Sequence, residues 1–213
     1  MRVRAHQAYH NAAGKKVTSV TTALSILNKP GLVKWANNLG LLGIDSSKYK
    51  DELADIGTLT HYFVMCHLKD IVPEVREFSQ EQIDLAEVCY RKYLDWEKYH
   101  PIRPILVEEP FVSEEYQFGG QVDCYGVCEK DLMLLDLKTS KGIFDEMIYQ
   151  VSAYSHMLVE NGYKVSSVRL LRIGRSPVEG FDEKVLTDER IEVGWQIFLH
   201  CLAIYNLRTK GVK

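Results

Sequence analysis

The sequence predicts an α/β protein, a mixed β-sheet flanked by helices with a mainly helical N-terminal region. Three observations carry this. Up to about residue 100 the apolar residues recur near a 3.6-residue period, the mark of amphipathic helices. Three short apolar runs follow, separated by turn residues, and they read as consecutive strands of a meander. After them come a helix, a further strand and a last helix, and that order is the order of a sheet covered by helices.

Taken along the chain, "YHNAAGKKVTSVT" places a turn signal, Asn11 to Gly14, between two β-prone pieces and predicts a hairpin. "SVTTALSIL" reads as a short helix with a Ser or Thr cap, stopped by Pro30, and "GLVKWANNLGLLG" as a second helix. In "KDELADIGTLTHYFVMCHLKD" the residues Leu53, Ile56, Thr60, Phe63 and His67 share one helical face, with Leu59 and Cys66 beside them. "SQEQIDLAEVCYRKYLDWEKYH" opens with a capping box, Ser79 to Gln82. It sets Ile83, Ala86, Tyr90 and Leu94 on one face and is closed by Pro101 and Pro104.

The three strands of the meander are "PILVEEPFVS", "FGGQVDCYGVCE" and "LMLLDLK". "DEMIYQVSAYSHMLVENG" then predicts a helix with Met147, Val151 and Leu158 inward and an Asn161-Gly162 stop. "KVSSVRLLRIG" is a fourth strand and "FDEKVL" a fifth. The last helix runs from Thr187 through Ile191, Trp195, Phe198 and Leu202 to Gly211. No repeat or low-complexity segment interrupts the order. Residues 1–213 read as one domain, with 1–100 mainly helical and 101–213 supplying the sheet core and C-terminal helices.

The chain has 213 residues, 46% of them hydrophobic, enough for a sizeable core. Its 26 basic and 29 acidic residues leave a net charge of −3, so a nucleic-acid partner has to be met by a local patch. No apolar run reaches the ~18 residues of a membrane span, and the N-terminus lacks the apolar stretch of a signal peptide. Five scattered cysteines, Cys66, Cys89, Cys124, Cys128 and Cys201, point to reduced thiols in an intracellular, cytoplasmic protein. Four-cysteine cluster spacing is absent, so no iron–sulfur cluster is expected. There is no phosphate-cradling G-x-x-x-x-G-K-[ST] loop and hence no sign of an ATP-driven motor in this chain.

The strand "LMLLDLK" carries Asp136 and Lys138 inside an apolar run. Side chains alternate along a strand, so these two project to one face, roughly 6.6 Å apart along it, while Leu137 points the other way. Taken alone, the pair fits a salt bridge at a strand end. Asp123 closes "GGQVD" in the preceding strand, where it is a turn-flanking acid or a neighbour of Asp136 across the meander. Two facing carboxylates repel unless a proton or cation lies between them, and a hard divalent ion, Mg²⁺ or Mn²⁺, satisfies both.

Four motifs follow one another in "GTLTH" (residues 57–61), "GGQVD" (119–123), "LLDLKTS" (134–140) and "QVSAY" (150–154). Together they resemble the G-x-x-x-H, G-x-x-D, D-x-K and Q-x-x-x-Y motifs of the PD-(D/E)xK nuclease superfamily, in its RecB-like exonuclease branch. The resemblance spans about half the chain, Gly57 to Tyr154; Val122 stands where the superfamily's proline would be. It implies a restriction-endonuclease-like core and a metal-dependent DNA exonuclease using one or two Mg²⁺ or Mn²⁺ ions. DNA, single-stranded or as duplex ends, would be the substrate. Replication or recombination proteins are candidate partners, repair is a further setting, and phages are among the sources of compact relatives.

On the resemblance, His61, Asp123, Asp136 and the main-chain carbonyl of Leu137 are metal ligands. Lys138 positions or deprotonates the attacking water and stabilises charge on the phosphate. Gln150 and Tyr154, one helical turn apart, brace the site and touch the DNA backbone, joined there by Ser140 and Lys141. Gly57, four residues before His61, leaves open space on the same helix face.

Glu108 and Glu109 read as a strand-face charge and an edge acid, with a role at the site as the alternative. Among Lys141, Arg169, Arg172 and Arg175, Arg172 is favoured as a phosphate contact because its strand should border the cleft. Trp35, Tyr62 and Tyr116 are candidates for stacking on bases, with packing as the default, and His67 reads as structural. The alternatives to a nuclease are a non-catalytic DNA-binding or assembly module on the same fold, or a hydrolase of RNA or nucleotides.

Overall fold

The computed structural model describes residues 7–176 and 178–210. Among them lie seven strands in one mixed sheet and six helices. The order is β1 (Tyr9–His10), β2 (Lys16–Ser19), α1 (Val20–Leu24), α2 (Pro30–Leu41), α3 (Ser46–Leu68), α4 (Gln80–Glu97), β3 (Ile102–Ser113), β4 (Phe118–Cys128), β5 (Asp131–Lys138), α5 (Asp145–Glu160), β6 (Ser167–Ile173), β7 (Phe181–Leu186) and α6 (Asp188–Lys210). The α/β class expected from the sequence is the one observed. The expected end of the last helix at Gly211 lies outside the described residues.

The local reasons are chemical. Ser19 accepts the N–H of Thr22 and starts α1, while Pro30 opens α2 in its first turn. Asp45 accepts the N–H groups of Ser47 and Lys48, so α3 begins earlier than its apolar period suggests. The capping box of Ser79 and Gln82 forms at the head of α4. The buried face of α4 is Ala86, Cys89, Tyr93 and Trp96, one position round from the face expected.

Helices cover both faces of the sheet. Residues of α1, α5 and α6 pack in one apolar cluster around Phe118, Tyr125, Leu134 and Leu170. Residues of α3 and α4 pack in the other, around Cys124, Met133, Leu135, Leu137 and Leu171. No residue of α2 is buried. Among the described residues no helix is long and apolar enough to cross a membrane.

The pairing of β4 fixes the position of the site. On one edge, β4 runs antiparallel to β3 from Phe118 to Cys128, interrupted at Asp123 and by a register shift between Pro104 and Leu106. The other edge is shared: β2 pairs at Phe118 and Gly119, and β5 pairs from Cys124 to Cys128. Gly120 to Asp123 therefore face a gap between β2 and β5. Beyond that gap β5 continues to Lys138 on the parallel strand β6.

Candidate active site

The alternation of side chains reverses at the gap. Val122 belongs to the α5/α6 cluster and Cys124 to the α3/α4 cluster, although both are even-numbered positions of β4. Opposite them, Glu108 of β3 has φ 54°, a left-handed conformation uncommon for glutamate. Such a backbone costs ~1–3 kcal/mol and persists where its surroundings hold it. Here the Gln121 side-chain amide donates to its carboxylate, and His61 lies beside it.

With the sheet open at this level, groups from both helical layers meet. From α3, His61 Nδ1 lies 3.6 Å from Asp123 Oδ2 and 3.7 Å from Glu108 Oε1. One ligand atom from each of His61, Glu108 and Asp123 falls within 4.8 Å of the others. Asp123 Oδ2 also accepts the N–H of Leu137 at 2.8 Å, replacing the ladder bond that β4 no longer supplies. On β5, Lys138 Nζ is 2.5 Å from Asp136 Oδ2. From α5, Gln150 donates to the Tyr154 hydroxyl at 3.0 Å. Gly120 leaves the room that the Tyr154 ring occupies.

Asp136 is 1% exposed, and neither of its oxygens accepts a hydrogen bond; the ion pair with Lys138 is its compensation. Burial, with Asp123 nearby, pushes its carboxyl up to about 6 against the opposing pull of Lys138. Asp123 goes the other way: burial raises it, but His61, Lys138 and the Leu137 N–H hold it below the usual carboxylate range. Burial alone would pull the His61 imidazolium down, yet Asp123 and Glu108 outweigh it and hold it at about 10. Burial likewise opposes charge on Lys138, and Asp136 and Asp123 more than restore it. Tyr154 stays a neutral phenol, held so by burial and by Asp136 and Asp123, against the pull of the Gln150 amide.

The structure thus brings together His61, Asp123, Asp136, Lys138, Gln150 and Tyr154, and it adds Glu108. Glu109 instead faces Lys69 at 3.9 Å on the surface. The signal for Glu108 in the sequence is only that two glutamates adjoin on one strand; its left-handed turn toward His61 is a product of the fold. Leu137 sends its side chain into the α3/α4 core. Gly57 does not leave open space, because a Cβ there would meet Thr139 Oγ1 at 2.9 Å.

The phosphate contacts named from sequence fall in different places. Arg172 is buried, with its guanidinium donating to the Lys141 carbonyl at 3.1 Å and flanked by Asp182 and Glu179 at 3.4 and 3.7 Å. It pins the loop after β5 and is buried rather than facing a cleft, although its Nε has no hydrogen-bond acceptor among the described residues. Arg169 pairs with Glu183 at 2.9 Å. Ser140 donates to the Gly142 carbonyl, and Lys141 is exposed. Tyr62 accepts the Glu74 N–H and Tyr116 packs edge-on to Trp195, whereas Trp35 lines a groove beside His61.

Among solved structures the fold is similar to a crystal structure from Eubacterium rectale named "Putative exonuclease". The TM-score is 0.55 over 73% of this chain and 68% of that chain, at 10% sequence identity. At that identity the likeness is one of fold. No protein-family model and no curated protein matches the sequence.

Proposed function

We propose that this chain is a divalent-metal-dependent deoxyribonuclease of the PD-(D/E)xK superfamily's RecB-like branch. In this reading it is an exonuclease that acts on single-stranded DNA or DNA ends in replication, recombination or repair. The observation that carries it is the convergence of His61, Glu108 and Asp123 beside the ion pair of the buried Asp136 with Lys138. The E. rectale protein of similar fold bears an exonuclease name, which supports the same reading.

One imidazole nitrogen among carboxylate oxygens suits a hard or borderline divalent ion, and clustered, largely buried carboxylates favour a cation between them. His61, Asp123, Asp136 and the Leu137 carbonyl would hold Mg²⁺ or Mn²⁺, with Glu108 as a further oxygen donor. When bound, such an ion makes water a better nucleophile and polarises the phosphoryl oxygen. Lys138, held as an ammonium by Asp136 and Asp123, meets developing phosphate charge as a cation in a site largely screened from water. Tyr154 keeps its proton and is oriented by Gln150, so it remains a hydrogen-bond donor at the acidic face.

Incubation with end-labelled DNA, RNA and nucleotides, each with Mg²⁺, Mn²⁺ or chelator, tests the reading. Metal-dependent release of label from a DNA end is the expected result. DNA binding without cleavage under any ion overturns it in favour of a non-catalytic module.

A further inference from the structure

A groove of about 910 Å³ opens beside His61, between α2, α3 and the loop that leaves β5. In a chain of net charge −3, its lining is cationic: Lys29, Lys50, Lys141 and Arg175 against one acid among the described residues, Glu146. Lys29 neutralises Glu146 at 3.0 Å, and Lys50 lies 3.6 Å from Asp51. Lys141 and Arg175 have no ion pair among the described residues. Arg175 Nε, like Arg172 Nε, is buried without a hydrogen-bond acceptor.

Both cations stand on fixed backbone. The Lys141 carbonyl accepts from Arg172, and the Arg175 N–H donates to Glu179 at 3.2 Å. The Gly174 N–H donates to the Gly180 carbonyl, and Lys92 binds the carbonyls of Gly174 and Ser176. A guanidinium without a paired anion lacks part of its compensation, and a phosphate accepts from its planar fork in a geometry that no lone lysine matches. The apolar wall of Leu53, Ala54 and Trp35 strengthens that pairing by lowering the local dielectric.

We propose that Arg175 and Lys141 form a phosphate-binding subsite in this groove, which holds a phosphate of the substrate strand other than the one attacked. The inference rests on the nuclease reading for the identity of the strand. The ligand is a phosphate group, either the monoester at a strand end or a diester within the strand.

Binding is measured in chelator, by fluorescence anisotropy of a short single-stranded oligonucleotide labelled at its 3′ end, with a 5′-phosphate or a 5′-hydroxyl. Arg175→Met and Lys141→Met should each weaken binding about tenfold. Each should also lower the slope of log affinity against log salt by about 0.7, the share of one phosphate contact on a single strand. Arg175→Lys should keep the slope and recover only part of the affinity, which a merely structural role would not produce. Lys130→Met, in the turn at the far end of β5, should change neither.

Loss of a 5′-phosphate preference in Arg175→Met assigns the monoester, and equal loss for both oligonucleotides assigns a diester. Parent-like affinity and slope in both Met variants overturns the subsite. If Lys138→Ala has lost cleavage in the same preparations, the nuclease reading survives that failure. If Lys138→Ala cuts like the parent while Arg175→Met binds poorly, the nuclease reading falls and the subsite stands.

Discussion

Asp123 accepts the main-chain N–H of Leu137 at 2.8 Å, across the gap where β4 and β5 have stopped pairing. One carboxylate therefore does two jobs: it faces His61 with its charge and replaces a missing ladder bond. The two separate by substitution. Asp123→Asn keeps an acceptor for Leu137 and should retain most of the parent's stability while losing metal binding. Asp123→Ala leaves a buried N–H unmet and should lose a further ~1–3 kcal/mol. Chemical denaturation of both variants in chelator checks this; equal stabilities would contradict it.

His61 gives the metal-free protein a pH signature. Its value in the fold, about 10, lies above the ordinary 6.5. The stability from its pairing with Asp123 and Glu108 is then fully present below 6.5 and lost as pH rises through about 10. In thermal melts with chelator, the deficit of His61→Gln should be largest below pH 6.5 and shrink toward pH 10. A deficit that grows with pH would contradict the assignment.

The same proton opposes metal binding, because a ligating imidazole must be neutral. Affinity for Mn²⁺ should rise from pH 6 to 9, with proton release visible as a buffer-dependent heat in titration calorimetry. His61→Gln should abolish most of that release. A pH-independent affinity in the parent would show that His61 does not ligate.

Glu108 and Glu109 adjoin in sequence but differ in role. Glu108→Gln should weaken Mn²⁺ binding at least about tenfold, as expected for a lost ligand or its nearest neighbour, with activity partly restored by excess ion. Glu109→Gln, which disturbs a surface pair with Lys69, should change stability by no more than ~1 kcal/mol and leave metal affinity unchanged. Equal effects would remove Glu108 from the site.

Gly57 lets α3 approach the loop after β5. Gly57→Ala pushes a methyl group to 2.9 Å from Thr139 Oγ1 and should cost ~1 kcal/mol. Adding Thr139→Ala removes the obstructing atom and should restore much of the loss, a coupling that a double-mutant cycle measures. Additive losses would mean that the strain lies elsewhere.

How much of this was readable beforehand depended on the range of the interaction. The 3.6 period exposed α3 and α5, and with them the side chains of His61, Gln150 and Tyr154. Alternation placed Asp136 and Lys138 on one face of β5, where they do pair. Local pattern could not say that β2 and β5 share one edge of β4, and the gap between them is what lets α3 and α5 reach the same point. A site role for Glu108 or Glu109 is legible only as an alternative, because the direction of Glu108 depends on a left-handed residue inside a strand, which no periodicity anticipates. Arg172 was expected at a cleft, but its partners Glu179 and Asp182 come from the chain just beyond β6, folded back onto it. Arg175, given no priority in the sequence, faces the groove without an ion-pair partner among the described residues, although Nε of both arginines is buried without an acceptor.

The most direct test of the central claim is the cleavage of end-labelled DNA by the parent and by Lys138→Ala, with and without Mg²⁺ or Mn²⁺, alongside DNA binding and a thermal melt of each. The parent should release label only with the ion. Lys138→Ala should remain folded and bind DNA, yet cut at least about a hundredfold more slowly. Cleavage by folded Lys138→Ala at the parent's rate would contradict the account.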